Sequence, residues 1–148
     1  MKKILGFIFL TLILVSATKY TTEKESTMHS IEGTWELQNF YQYDGQKVID
    51  TTPPSKGFRQ VKMYYNGNIM WSRTSSEEIA GRFGYGTYKI TPDSLIEKIE
   101  YGDGQMMKAL DTIRQFTFEL ILNNDNYSQI TVDEFGNRIT SENYKRID

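Results

Sequence analysis

Residues 58–73, FRQVKMYYNGNIMWSR, decide the fold. Two runs of strand-forming residues flank Asn66-Gly67. That dipeptide is the strongest short hairpin signal, because a two-residue type I′ turn needs positive φ at both central positions. With a two-residue turn, Phe58, Lys62, Tyr64, Ile69, Trp71 and Arg73 share one face. Arg59, Val61, Met63, Tyr65, Met70 and Ser72 share the other, since strand side chains alternate with period 2. Both faces carry apolar residues. We expect Ile69, Trp71 and Arg73 to face inward.

The same pattern extends in both directions. Upstream, Gly33–Tyr43 (GTWELQNFYQY) is closed by Asp44-Gly45, and Pro53-Pro54 with Gly57 marks a loop. Downstream come 83–90 (FGYGTYKI), 95–101 (LIEKIEY), 114–122 (RQFTFELIL), 127–132 (YSQITV) and 139–147 (ITSENYKRI). Each is bounded by Gly, Pro, Asn or Asp turn residues. Together with 33–43, 58–65 and 68–73 these make eight short strands. Tight sequential turns favour hairpin neighbours. The expectation is therefore an all-β domain, an eight-stranded antiparallel up-and-down barrel whose closure removes its edges. The one helical stretch is 105–113 (QMMKALDTI). The glycine-rich run 81–86 lacks the Lys-Ser/Thr ending and following helix of a phosphate loop, so it reads as a bulged or tightly curved strand.

The 148 residues suit one domain. Aromatics reach 14%, ten of them tyrosines, which also favours β structure. A net charge of −2 offers no basic excess for nucleic acid. The absence of cysteine excludes disulfides, thiolate metal sites and cysteine nucleophiles. Met1-Lys2-Lys3, a twelve-residue apolar run at 4–15 (ILGFIFLTLILV) and Val15-Ser16-Ala17 have the pattern of a secretory signal peptide over 1–17. The run is short for a spanning helix, which needs about 20 apolar residues. The mature protein is then expected in a periplasm or outside the cell, with no membrane span. Loss of Lys2 and Lys3 leaves 15 basic against 19 acidic residues, a charge of −4. Residues 18–30 (TKYTTEKESTMHS) read as a flexible leader, and 31–148 as the barrel domain. The lone histidine, His29, falls in the leader, so no metal site is expected.

Gly33-Thr34-Trp35 opens the first strand, and Tyr144-Lys145-Arg146 lies in the last. In this the chain resembles the lipocalins and their barrel relatives. It looks most like the uncharacterised lipocalin-like domains of secreted proteins from Bacteroides-type bacteria. The resemblance implies that Gly33, Trp35 and Arg146 close one end of the barrel, with the guanidinium over the indole face. It also implies a small hydrophobic or amphipathic ligand.

Period 2 places Trp35, Leu37, Asn39, Tyr41 and Tyr43 on one inward face, and Leu95, Glu97, Ile99 and Tyr101 on another. Phe116, Phe118, Leu120 and Leu122 form a third. Glu97 then needs a partner, because an unpaired buried carboxylate is costly. It serves either as a ligand anchor or in an internal ion pair, with Arg73 in reach. Tyr41, Trp71, Tyr88 and Phe118 supply aromatic surface, and with Arg73 and Glu97 they make the expected ligand-binding set. There is no cysteine, no histidine from Ile31 onward and no Ser-x-x-Lys in that part, so no catalytic set and no cofactor is expected. The leading expectation is a binder of a small molecule. The alternative is a filled barrel that engages a protein or glycan through its loops or outer face, where Phe40 or Tyr85 would serve.

Overall fold

The computed structural model describes residues 30–148. The expected signal peptide and all of the leader except Ser30, with His29, lie outside the described residues. Nine strands and one short helix follow in order: β1 Gly33–Asp44, β2 Lys47–Thr52, β3 Arg59–Tyr65, β4 Asn68–Thr74, β5 Arg82–Ile90, β6 Ser94–Gly102, α1 Gly104–Leu110, β7 Gln115–Leu122, β8 Asn126–Val132 and β9 Arg138–Arg146. All pairings are antiparallel, in the order β2-β1-β3-β4-β5-β6-β7-β8-β9, and β1 also pairs with β9. The sheet thus closes on itself into a ring of sequential hairpins.

The ninth strand, β2, was not expected. Its six residues are all exposed, so burial left no hydrophobic alternation to detect. The long β1 makes room for it. Gly33–Glu36 pair with β3, while Phe40–Asp44 run on to pair with β2. The Asn66-Gly67 turn has φ of 47° and 77°, as a type I′ hairpin requires. The short helix ends at Leu110, which is buried, and starts on Asp103. One Asp103 oxygen accepts the Gln105 and Met106 amides at 2.9 and 3.0 Å. The other accepts the Phe83 amide and Arg82 Nε at 3.0 and 3.2 Å. Burial pushes this carboxyl up, but the bonds from Met106, Phe83, Arg82 and Gln105 outweigh it and bring its pKa down to about 2.

Two bulges break the period-2 assignment of faces. On β1, Leu37 pairs with Tyr144 and Asn39 with Asn143, so Gln38 is an extra residue. Beyond it Phe40, not Tyr41, turns inward and packs with Phe58 at a centroid distance of 6.5 Å. Tyr41 and Tyr43 move to the outside, where the Tyr43 hydroxyl meets Ser141 Oγ at 3.2 Å. On β6, Ile99 pairs with Gly86 and Tyr101 with Tyr85, so Glu100 is extra and Tyr101 is exposed. A Cβ on Gly86 would overlap the Lys98 carbonyl oxygen, so only glycine permits this close approach.

One end of the ring is plugged. Trp35 and Tyr127 meet edge to face at 4.9 Å, and Tyr127 stacks on Tyr144 at 4.7 Å. Tyr64, Ile69 and Leu95 fill the space around them. The Arg146 guanidinium lies 4.1 Å from the centre of a Trp35 ring. It donates to the carbonyls of Glu32 (2.6 Å), Asn124 (2.8 Å) and Ser30 (3.1 Å). A Cβ on Gly33 would overlap the same guanidinium, which accounts for the glycine two residues before the tryptophan. The Trp35 indole N–H donates to the Ile31 carbonyl at 2.7 Å.

Candidate functional site

Above the plug, toward the end that carries α1, the ring holds a cavity of about 270 Å³ that is open to solvent. Its floor is a polar network on the inward positions of β3, β6 and β8. Lys62 Nζ donates to both Glu97 oxygens, at 2.9 and 3.2 Å, and to Gln129 Oε1 at 2.6 Å. The Tyr64 hydroxyl donates to Glu97 Oε1 at 2.6 Å and contacts the Tyr127 hydroxyl at 3.3 Å. Both ion-pair side chains are only 5% exposed. Burial, then the Glu97 charge, holds the Tyr64 and Tyr127 phenols well above their usual range. Lys62 Nζ also lies 6.0 Å from the Phe118 ring centre and 5.6 Å from that of Tyr144.

Glu97 therefore sits in an internal ion pair, with a lysine instead of an arginine. Arg73 does not reach it. The register explains why. Lys62 lies opposite Trp71, whereas Arg73 lies opposite Gln60, one layer nearer the open end. There Arg73 faces Glu78 of the 75–81 loop at 3.7 Å. Arg73 Nε and Glu78 Oε2 are buried without hydrogen-bond partners.

The walls combine apolar and polar side chains. Trp71, Phe116, Phe118, Ile99 and Met106 form the apolar part. The Trp71 indole packs against Gly84, where a Cβ would stand 2.5 Å from its Nε1. Gln60, Glu142, Arg73 and Arg82 line the rest. Gln60 Nε2 donates to the Tyr144 hydroxyl at 2.6 Å and to Glu142 Oε2 at 3.2 Å. The Tyr144 hydroxyl donates to the same Glu142 oxygen at 2.5 Å. Burial, then the Glu142 charge, raises the Tyr144 phenol well above its usual range, so it remains a donor.

Four residues of the expected set, Trp71, Arg73, Glu97 and Phe118, line this cavity. Tyr88 does not. It packs deeper, edge-on to Tyr64 at 4.9 Å. Tyr41 stands outside the ring beside Tyr43, at 6.4 Å, because of the β1 bulge. The expectation missed Gln60, Gln129 and Glu142 and gave Lys62 no role. Each stands two residues from an inward aromatic or another inward polar residue, and that alternation was the available signal.

The outer surface carries a second feature. The register sets Met63, Met70, Tyr85 and Tyr101 in a row across β3, β4, β5 and β6. Met63, Met70 and Tyr101 are exposed, and the two tyrosine rings are 5.2 Å apart. Phe40 is not part of this surface. Among the described residues, no cluster of three or more His, Cys, Asp or Glu is placed to hold a metal ion. No helix among them is long and apolar enough to cross a membrane.

These features define the class of protein: an all-β, antiparallel, barrel-like sheet, plugged at one end and hollow at the other. No family model matches the chain, and no curated protein matches it significantly. Its fold is similar to that of an uncharacterised protein from Bacteroides eggerthii DSM 20697. The TM-score is 0.51 at 14% identity, over 80% of this chain and 100% of that one. This likeness shows the fold alone.

Proposed function

We propose that this protein is an exported, lipocalin-like binder of a small amphipathic molecule, held in the cavity above the Lys62–Glu97 floor. The observation that carries the reading is the open-mouthed cavity itself. Aromatic and hydrogen-bonding side chains line it together, the combination that grips and orients a small ligand. At 270 Å³ it holds roughly nine waters at about 30 Å³ each. It therefore suits a ligand of one ring or a short chain, below the usual pocket range of about 300–1,000 Å³. The Met63–Met70–Tyr85–Tyr101 row favours a second reading, in which the outer face engages a protein or glycan.

Gly84→Ala separates the two. The added Cβ pushes Trp71 off its seat and into the cavity. Solvent extraction of the natively purified protein, followed by mass spectrometry, should recover a stoichiometric small molecule from the wild type and none from Gly84→Ala. An empty wild-type extract, with Trp71 emission indifferent to a panel of small amphipathic compounds, would end the cavity reading and leave the outer face.

A further inference from the structure

We propose that the cavity ligand is a cation, an aryl- or alkyl-ammonium, and that Glu142 is its counter-ion. The inference rests on the cavity-binding reading and adds the charge of the ligand. The carboxylates and cations around the cavity can be matched one by one. Lys62 is paired with Glu97 at 2.9 Å, Arg82 with Asp103 at 3.2 Å, and Arg73 with Glu78 at 3.7 Å. Glu142 is left over. Among the described residues, no lysine or arginine nitrogen lies within 4.0 Å of it.

Glu142 is nevertheless held firmly in place. Its Oε2 accepts from Gln60 Nε2 and from the Tyr144 hydroxyl. Both are neutral donors, so they orient the carboxylate without cancelling its charge. No hydrogen bond to Oε1 is formed by the described residues. Glu142 stands opposite Phe40 in the register and lines the cavity, so its open side faces the same space as Trp71, Phe116 and Phe118. A half-buried carboxylate facing aromatic rings is the arrangement that receives an ammonium group, by charge-assisted hydrogen bonds on one side and cation–π contact on the other. Lys62 and Arg82 are already hydrogen-bonded to carboxylates, and Arg73 faces Glu78 at 3.7 Å with its Nε unbonded. An anionic ligand would therefore compete with a carboxylate at each cation and would bring a further negative charge toward Glu142.

The test compares three probes built on one phenylethyl group: 2-phenylethylammonium, 2-phenylethanol and 3-phenylpropionate, titrated calorimetrically into the folded protein. The ammonium should bind tightest and the carboxylate weakest. Glu142→Gln keeps an oxygen for Gln60 and Tyr144 and should weaken the ammonium about ten- to hundredfold, the worth of one charge-assisted hydrogen bond. The alcohol should be unaffected. An unchanged thermal midpoint checks that the variant is folded. If it is not, Glu142→Asp, which retains the charge one methylene short, should weaken the ammonium selectively and by less. Phenylpropionate binding as tightly as the ammonium, or an ammonium affinity indifferent to Glu142→Gln, overturns the cationic ligand while leaving the cavity in use. If none of the three binds, the cavity reading fails and takes this inference with it.

Discussion

Replacing Lys62 by methionine removes the counter-ion of Glu97 and leaves a carboxylate that is 5% exposed. The gross attraction at 2.9 Å is about 6 kcal/mol at an effective dielectric of about 20. Against it stands the desolvation of both groups, several kcal/mol for each ion. The pair as a whole is therefore worth little compared with apolar residues of the same size, yet breaking it from one side costs about 3–5 kcal/mol. Glu97 keeps the Tyr64 hydroxyl but loses two of its three donated bonds, and Gln129 Oε1 loses its donor. Urea unfolding measures the loss directly. With a slope of about 2 kcal/mol/M, the midpoint of Lys62→Met should fall by about 2 M. The double variant Lys62→Met/Glu97→Leu should recover most of that stability, because no charge remains buried. A single-variant loss below about 1 kcal/mol, or a double variant no better than the single, would refute the argument. The floor would then be wet, with cavity water already solvating Glu97.

Gly33→Ala tests the plug. The residue has φ of +135°, a region that L side chains rarely adopt, and the new Cβ would displace Arg146 from Trp35. Strain of about 1–3 kcal/mol and loss of a cation–π contact of about 1–2 kcal/mol should together lower the urea midpoint and redden Trp35 emission, and unchanged emission would show that Arg146 does not seal the indole. Asp103 sets an acid dependence. Its folded pKa of about 2 lies below the unfolded value of about 3.9, so its contribution is complete above about pH 4 and is lost as pH falls through about 2. Asp103→Asn retains a cap for α1 but not the charge facing Arg82. Its deficit against the wild type should shrink between pH 4 and pH 2, and a deficit constant across that window would remove Asp103 from the account.

The sequence by itself determined the antiparallel hairpin order, the turns that join the strands and which residues of the 58–73 hairpin share a face. These are local properties. Positive φ at Asn66 and Gly67 and the period-2 alternation act between near neighbours, so the chain states them directly. It also placed Gly33, Trp35 and Arg146 near each other, through a motif and a resemblance. Only the tertiary structure decided the rest. Both faces of the 58–73 hairpin carried apolar residues, and closure of the ring decided that Ile69 and Trp71 point inward. The bulges at Gln38 and Glu100 turn Tyr41 and Tyr101 outward and Phe40 inward, and a bulge is stabilised by the partner strand it faces. The exposed β2 has no alternation to betray it, because neither of its faces is buried. The partner of Glu97 is Lys62 instead of Arg73 because ring closure sets which inward layers coincide, across a sequence separation of 35 residues. That closure also leaves Glu142 facing the cavity without a cation. No local pattern encodes a charge left over after long-range pairing, since it exists only once every strand has found its neighbour.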